Sequence, residues 1–89
     1  MLEVQYDKRF LKDLAAIPSK YRKEIEHFAF TDLSSFKSIA EANRFEKMNG
    51  YENCYKIRLG IYRLGAYCQG NTVVLKRSLH RKEIYRYFP

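Results

Sequence analysis

The second half of the sequence constrains the fold most, because it divides into short alternating segments separated by turn signals. Each segment has the two-residue period of a half-buried strand. The segments are Tyr55–Leu59, Tyr62–Cys68 and Thr72–Leu79, with a further candidate strand at Arg44–Met48. The turn signals are Asn49-Gly50, which tolerates positive φ, then Gly60-Ile61 and Gln69–Asn71. Loops this short join antiparallel neighbours, so the sequence predicts an antiparallel meander.

The first 43 residues follow a helical period after one short strand. Leu2, Val4 and Tyr6 alternate with polar residues, and Asp7 is positioned to cap a helix. The predicted apolar stripe of this helix is Phe10, Leu11, Leu14 and Ile17. Pro18 ends it, and a second helix over Ser19–Leu33 is predicted with a stripe of Tyr21, Ile25, Phe28 and Ala29.

These elements predict a single α+β domain over residues 1–89. We expect the N-terminal strand and the helical hairpin to pack on one face of a curved antiparallel sheet of four to five strands. Residues 34–43 are predicted to be a connection with a helical turn, and Arg81–Tyr87 a short C-terminal helical turn. The other face of the sheet is left open for a ligand.

Positive charge is concentrated at the C-terminal end. The chain carries a net charge of +7, and residues 54–89 contain eight basic residues against one acidic residue, Glu83. Six of the eight tyrosines lie in residues 51–89. Cations bind phosphates and aromatic rings stack on unpaired bases, so this composition favours a nucleic-acid ligand over a merely solvated face.

Other classes of protein are disfavoured. No apolar run approaches the length of a membrane span, and the N-terminus lacks the apolar stretch of a signal peptide, so a soluble, cytoplasmic protein is expected. Cys54 and Cys68 are too few for a disulfide framework and have no metal-ligand spacing. We expect both to be buried or half-buried side chains, and we expect no metal and no cofactor.

Strand alternation places several cations on the open face. Tyr55, Ile57 and Leu59 are predicted to face the helices, which directs Lys56 and Arg58 to the other side. On the next strand the apolar set directs Arg63 to the same side, and Arg81 follows the last strand. Clustered cations repel one another unless an anion lies among them, and a phosphodiester is such an anion.

Three motifs in this region resemble the RelE/ParE superfamily of toxins from type II toxin–antitoxin modules, and in particular its RelE-like branch. They are Tyr55-Lys56-Ile57-Arg58-Leu59, Tyr62-Arg63-Leu64 and His80-Arg81-Lys82-Glu83-Ile84-Tyr85-Arg86. The resemblance covers essentially the whole chain. It implies a microbial-RNase-like fold, cleavage of mRNA in the ribosomal decoding site, and a cognate antitoxin that covers the basic face in a hetero-oligomer.

Such cleavage uses the RNA's own 2′-hydroxyl as nucleophile, so the protein must accept a proton, stabilise the phosphorane and assist the leaving oxygen. Lys56, Arg58 and Arg63 suit charge stabilisation. The resemblance implies that Arg81 lies near the leaving oxygen and that Tyr85 contacts the substrate. The RelE-type pattern often has lysine where Arg58 stands, and arginine is a poor base. The sequence hypothesis therefore gives proton transfer to His80. The remaining predicted contacts to RNA are Lys76, Arg77, Lys82 and Arg86.

Two alternatives stay open at this point. A ParE-like toxin would inhibit DNA gyrase without cutting RNA, and a non-catalytic relative would only bind RNA. The cationic, histidine and tyrosine residues favour the nuclease hypothesis. Arg58 and the short tail after Tyr85 keep the non-catalytic hypothesis open.

Overall fold

The computed structural model of the chain describes all 89 residues and has the predicted order of elements. The strands are β1 (Glu3–Tyr6), β2 (Phe45–Lys47), β3 (Cys54–Leu59), β4 (Tyr62–Gln69) and β5 (Thr72–His80). The helices are α1 (Lys8–Ala16), α2 (Ser19–His27), α3 (Ile39–Ala42) and α4 (Ile84–Tyr87). A π-helical turn (Phe28–Asp32) and a 3₁₀ turn (Leu33–Ser35) continue the chain after α2. None of these helices is long and apolar enough to cross a membrane.

All five strands form one sheet in the order β1-β5-β4-β3-β2. The antiparallel meander of β2 to β5 is confirmed. The expectation of a wholly antiparallel sheet is wrong at one edge, where β1 runs parallel to β5. The helices carry the chain from that edge across the sheet to the opposite edge, where β2 begins, and the meander then returns to β1. Because no short loop joins β1 to β5, the two strands can pair in parallel.

The helical hairpin covers one face of the sheet and forms the main core with it. Phe10 and Leu14 of α1 and Ile25 of α2 are buried against strand residues such as Ile57 and Leu64. Leu11, predicted for the α1 stripe, is 44% exposed because it lies about 100° around the helix from Phe10. Tyr21 is also partly exposed, at 36%, and its ring packs on Tyr62.

The connection between β2 and β3 is longer than a two-residue turn. Gly50 has φ +82° and Asn53 has φ +66°, whereas Asn49 is not in the left-handed region. Met48 and Cys54 are joined by a backbone hydrogen bond of 2.8 Å, so the loop spans residues 49–53. This length sets the register of the two strands and pairs Glu46 with Lys56.

The sheet face opposite the hairpin, here called the open face, is less open than the sequence predicted. Ile84 and Phe88 fold back over it and are buried with Met48 in a second apolar cluster. A Cβ atom at Gly65 would lie 2.6 Å from the Phe88 ring, so glycine is what lets the ring approach the strand. Burial of these two side chains contributes about 1.5–3 kcal/mol each. The C-terminal segment is thereby fixed on the open face.

Candidate functional site

The cations of β3 lie on the open face as predicted. Ile57 and Leu59 are buried under the hairpin, and the two-residue period directs Lys56 and Arg58 to the other side. Arg58 pairs in register with Arg63 of β4, whose side chain therefore starts on the same face. The strand alternation read from the sequence is confirmed here.

Glu46 of β2 lies among these cations. It pairs in register with Lys56, and its carboxylate oxygens are 4.0 Å from the Lys56 Nζ and 3.2 Å from an Arg58 guanidinium nitrogen. The Glu46 side chain is 45% exposed, so water and a ligand can both reach it. The open face therefore presents an exposed carboxylate, a hydrogen-bond acceptor, directly beside two cations.

Tyr85 completes this group from the C-terminal segment. The Lys56 Nζ lies 4.3 Å from the centroid of the Tyr85 ring, a cation–π contact, and the Tyr85 side chain is 65% exposed. Its neighbour Ile84 is buried, and this anchors the short helix α4. Glu46, Lys56 and Tyr85 line a pocket of about 250 Å³. We call Glu46, Lys56, Arg58 and Tyr85 the Glu46 cluster.

The other predicted cations differ in whether their side chains have hydrogen-bond or ion-pair partners within the protein. The Arg63 guanidinium donates to the Gly60 and Tyr62 carbonyl oxygens at 2.8 and 2.9 Å, so it folds over the β3–β4 turn. Three cations have no hydrogen-bond or ion-pair partner for their side chains; they are Arg81, Lys82 and Arg86. These three cations are available to a bound anion without breaking a hydrogen bond or an ion pair.

His80 lies on the helix-facing side of the sheet. It pairs in register with Tyr62, and the two rings meet edge to face at 5.9 Å. Its Nδ1 accepts a hydrogen bond from the Lys82 backbone N–H at 3.1 Å. Because β5 ends at His80, alternation does not fix the side of Arg81, which is exposed in the following turn. The structure thus separates His80 from the Glu46 cluster, which lies on the other face.

Two of the predicted RNA contacts are engaged within the fold. Arg77 donates from Nε and Nη2 to the Asp13 carboxylate at 2.7 and 3.1 Å, and this ion pair raises the pKa of the guanidinium. Lys76 lies 3.5 Å from Asp7. Cys54 is half-buried, and burial raises the pKa of the Cys68 thiol to about 12, as expected for packed side chains.

Glu46 was missed by the sequence reasoning. Its alternation with Phe45 and Lys47 shows that it lies on one face of a strand, but only the register identifies Lys56 as its neighbour. The signal that could have found it is charge: Glu46 is the acidic residue within the candidate strand Arg44–Met48. Opposite charges across an antiparallel pair stabilise each other.

The sheet, the hairpin on one face and the cationic opposite face define an α+β domain with a basic open face. No protein-family model matches the sequence. The RelE3 toxin of Methanocaldococcus jannaschii is 38% identical over 89 residues, which is 99% of this chain and 100% of that protein. At this identity and coverage, the chain belongs to the RelE family of toxins.

Two solved structures agree with this assignment. The RelB–RelE antitoxin–toxin complex from Methanococcus jannaschii matches with a TM-score of 0.77 and 37% identity, over 96% of this chain and 99% of that one. The RelBE2 toxin–antitoxin complex from Mycobacterium tuberculosis matches with a TM-score of 0.73 and 25% identity, over 90% and 98% of the two chains. The predicted α+β fold and the predicted superfamily are both confirmed.

Proposed function

We propose that this protein is the toxin of a toxin–antitoxin module and an endoribonuclease that cleaves mRNA in the ribosomal A site in the cytoplasm, and so inhibits translation. Membership of the RelE family supports the toxin role. The observation that carries the nuclease proposal is the Glu46 cluster, in which an exposed carboxylate lies beside two cations, one of which contacts an exposed aromatic ring. Cleavage by the RNA 2′-hydroxyl needs a proton acceptor and cations that stabilise the phosphorane, and an aromatic ring can hold a base of the substrate.

The proposed reaction begins with attack of the RNA 2′-oxygen on the adjacent phosphorus. The Glu46 carboxylate takes the 2′-hydroxyl proton as the new oxygen–phosphorus bond forms. The bond from phosphorus to the 5′-oxygen then breaks and that oxygen takes a proton from water. The hydroxide that remains removes the proton from Glu46, which restores its carboxylate. The products are a 2′,3′-cyclic phosphate and a 5′-hydroxyl, so the step uses no external nucleophile and no metal ion.

The cations stabilise the charge that this reaction creates. Lys56 and Arg58 neutralise the phosphorane oxygens, and Arg63 reaches them by releasing its turn carbonyls. Arg81, which has no partner in the free protein, stabilises the departing oxygen. The Tyr85 ring stacks on a base of the bound strand.

Glu46, and not His80, is the proton acceptor in this proposal. The carboxylate lies on the same face as Lys56 and Arg58, whereas the His80 ring packs on Tyr62 on the other face. Loss of a general base costs typically 10²- to 10⁴-fold in rate. We expect Glu46→Gln to lose at least about 10²-fold in cleavage rate, and His80→Gln to stay near the wild-type rate.

The matched control is Glu26→Gln on the outer surface of α2, which should leave the rate unchanged. The alternative outcome, a loss in His80→Gln and none in Glu46→Gln, would return proton transfer to His80. Equal rates in all three variants would show that neither residue accepts the proton.

The function itself is tested by mapping mRNA ends after expression of the protein. Codon-phased breaks in translated messages support the nuclease. Broken DNA with intact messages would identify a gyrase inhibitor, and intact RNA with normal growth would leave a non-catalytic RNA-binding protein. Ribosome dependence is tested with purified protein on free RNA and on programmed ribosomes, and rapid cutting of free RNA would contradict it.

A cognate antitoxin is the proposed protein partner. The similar toxins of Methanococcus jannaschii and Mycobacterium tuberculosis are seen in complex with antitoxins. We expect the antitoxin of this protein to cover the basic open face in a hetero-oligomer and to block cleavage. Co-purification with the product of a neighbouring reading frame, with loss of cleavage in the complex, is the measurement.

A further inference from the structure

A second concave site lies on the open face, next to the Glu46 cluster. It is a groove of about 330 Å³ between the end of the meander and the C-terminal segment. Cys54 and Tyr67, which pair in register, form its floor, and Tyr87 and Phe88 form a wall. The proposed reaction uses none of these residues.

The walls of the groove suit a flat ring. Tyr67 is 38% exposed and Tyr87 is 50% exposed, so both present aromatic surface to solvent. The Arg77 and Arg86 guanidinium carbons each lie 5.7 Å from the Tyr87 ring centroid. The Tyr87 ring therefore already makes cation–π contacts with two arginines. Tyr67 has no aromatic or cationic partner and is the free platform.

The rim of the groove carries cations. Arg9 and Lys76 line it together with Arg77, and Asp7 is the acidic side chain among them. Arg77 is held by Asp13, but the contact between Lys76 and Asp7 is a 3.5 Å pair with both side chains over 30% exposed. Exposed pairs of this kind are weak, so Lys76 can exchange the carboxylate for a phosphate.

The groove is in line with the proposed reaction centre. On β3 the open-face residues run from Arg58 to Lys56 to Cys54, and Cys54 is one step of about 7 Å beyond Lys56. Extended single-stranded RNA places successive phosphates at a comparable spacing. A strand held at Lys56 therefore brings a neighbouring nucleotide over the groove.

We propose that this groove binds one nucleobase of the RNA strand held on the open face, with Tyr67 stacking on the base and Lys76 and Arg9 contacting its phosphate. The inference rests on the proposed RNA substrate and adds a second subsite to it. The occupant is assigned from charge complementarity and from continuity with the Glu46 cluster. Stacking on an aromatic side chain accepts any base, so the subsite contributes affinity more than sequence selectivity.

The chain contains no tryptophan, which allows a direct test. In Tyr67→Trp, a base stacked on the new ring quenches its fluorescence. The probe is a short 2′-O-methyl RNA oligonucleotide, which cannot be cleaved because its 2′-oxygen is blocked, and inorganic polyphosphate is the backbone-only comparison. Saturable quenching by the oligonucleotide, and none by polyphosphate, is expected. The matched control, Phe30→Trp on the hairpin side, should not respond to either.

Anisotropy of a fluorescein-labelled oligonucleotide measures RNA binding by the whole protein, independently of base stacking in the groove. If the oligonucleotide binds and Tyr67→Trp is not quenched, the groove proposal is overturned and the RNA substrate stands. If no free oligonucleotide binds, the groove proposal is overturned, whereas cleavage on the ribosome is judged separately by the mapping of mRNA ends. Quenching by the antitoxin but not by RNA assigns the groove to the protein partner and overturns the inference.

A kinetic measurement tests the same subsite in the reaction. Tyr67→Ala and Lys76→Ala should each raise KM for programmed ribosomes about 5- to 10-fold and leave kcat unchanged, since the groove holds substrate away from the reacting phosphate. A fall in kcat with unchanged KM would place these residues in the chemistry and contradict a binding subsite.

Discussion

Asp13 joins α1 to the part of β5 that β1 does not reach. Its carboxylate accepts from the Arg77 guanidinium and from the Ser78 backbone N–H at 3.0 Å. The Asp13 and Arg77 side chains are 15% and 19% exposed, so the pair is well shielded from water. One carboxylate thus satisfies a backbone donor at the sheet edge and fixes a cation at the same time.

Replacement of Asp13 by alanine should destabilise the protein. Loss of the carboxylate leaves a half-buried guanidinium and a backbone N–H without partners, at a cost of roughly 2–3 kcal/mol. The free energy of unfolding in urea measures the change. Asp32→Ala is the matched control, because its pair with His27 is exposed and contributes at most about 1 kcal/mol. Equal losses in the two variants would contradict the role of Asp13.

Asp7 links folding stability to pH. Its carboxylate caps α1 by accepting from the Arg9 backbone N–H at 2.8 Å, and this bond, with the nearby Lys76, lowers the pKa below its ordinary value of 3.8. The folded state therefore binds this proton less readily than the unfolded chain does. The resulting stability is complete above the ordinary pKa and is lost as the pH falls through the folded pKa.

The variant Asp7→Asn isolates this effect, because asparagine is also a good N-cap but has no charge to titrate. From about pH 5 to pH 2, the free energy of unfolding should fall more steeply in the wild type than in the variant. Urea titrations at several pH values provide the comparison. Parallel pH profiles would show that Asp7 makes no such contribution.

For individual residues, the sequence predicted which side chains face away from the core but not which side chains contact each other. Lys56 and Arg58 were assigned to the open face by alternation alone, and the burial of Ile57 and Leu59 confirms it. Their contact with Glu46 depends on the strand register. A two-residue turn at Asn49-Gly50 would pair Glu46 with Asn53, whereas the longer loop pairs it with Lys56. One loop length therefore decides whether the cations have a carboxylate beside them.

The C-terminal element is held by its contact with Gly65. The sequence predicted a short helical turn there, and α4 confirms it, but nothing local indicates that Phe88 returns to the middle strand. That contact joins residues 23 positions apart in the chain and depends on the absence of a side chain at Gly65. Long-range packing of this kind cannot be predicted from the periodicity of the sequence, which indicates local structure only.

Gly65→Ala should destabilise the protein by about 1–3 kcal/mol, because the added methyl group overlaps the Phe88 ring. In a Phe88→Ala background the same substitution should be neutral or stabilising, since alanine suits a strand better than glycine. The double-mutant cycle, measured by urea unfolding, gives the coupling between the two positions. A cost at Gly65 that persists without the Phe88 ring would contradict the overlap.

In the molecule as a whole, one face of the sheet forms the main core and the other face carries the positive charge. The hairpin face holds the main core, and its helices carry charges of both signs. The net charge of +7 arises in residues 54–89, which form the central strands and the C-terminal segment. The positive potential is therefore concentrated where α4 and the open face meet, and the hairpin side is close to neutral.

This separation predicts how RNA binding depends on salt. Each phosphate neutralised on a single strand contributes about 0.7 to the slope of log affinity against log salt, through release of counterions. Lys82 and Arg86 are free of ion pairs, so Lys82→Gln and Arg86→Gln should each reduce the slope by about 0.7 if each cation neutralises one phosphate. Lys23→Gln on α2 removes the same charge from the hairpin side and should leave the slope unchanged.

Anisotropy titrations with the 2′-O-methyl oligonucleotide at several salt concentrations measure the slope for all three variants. Equal reductions in the three variants would mean that net charge alone attracts RNA; a reduction confined to the C-terminal variants locates the phosphates on the open-face side of the molecule.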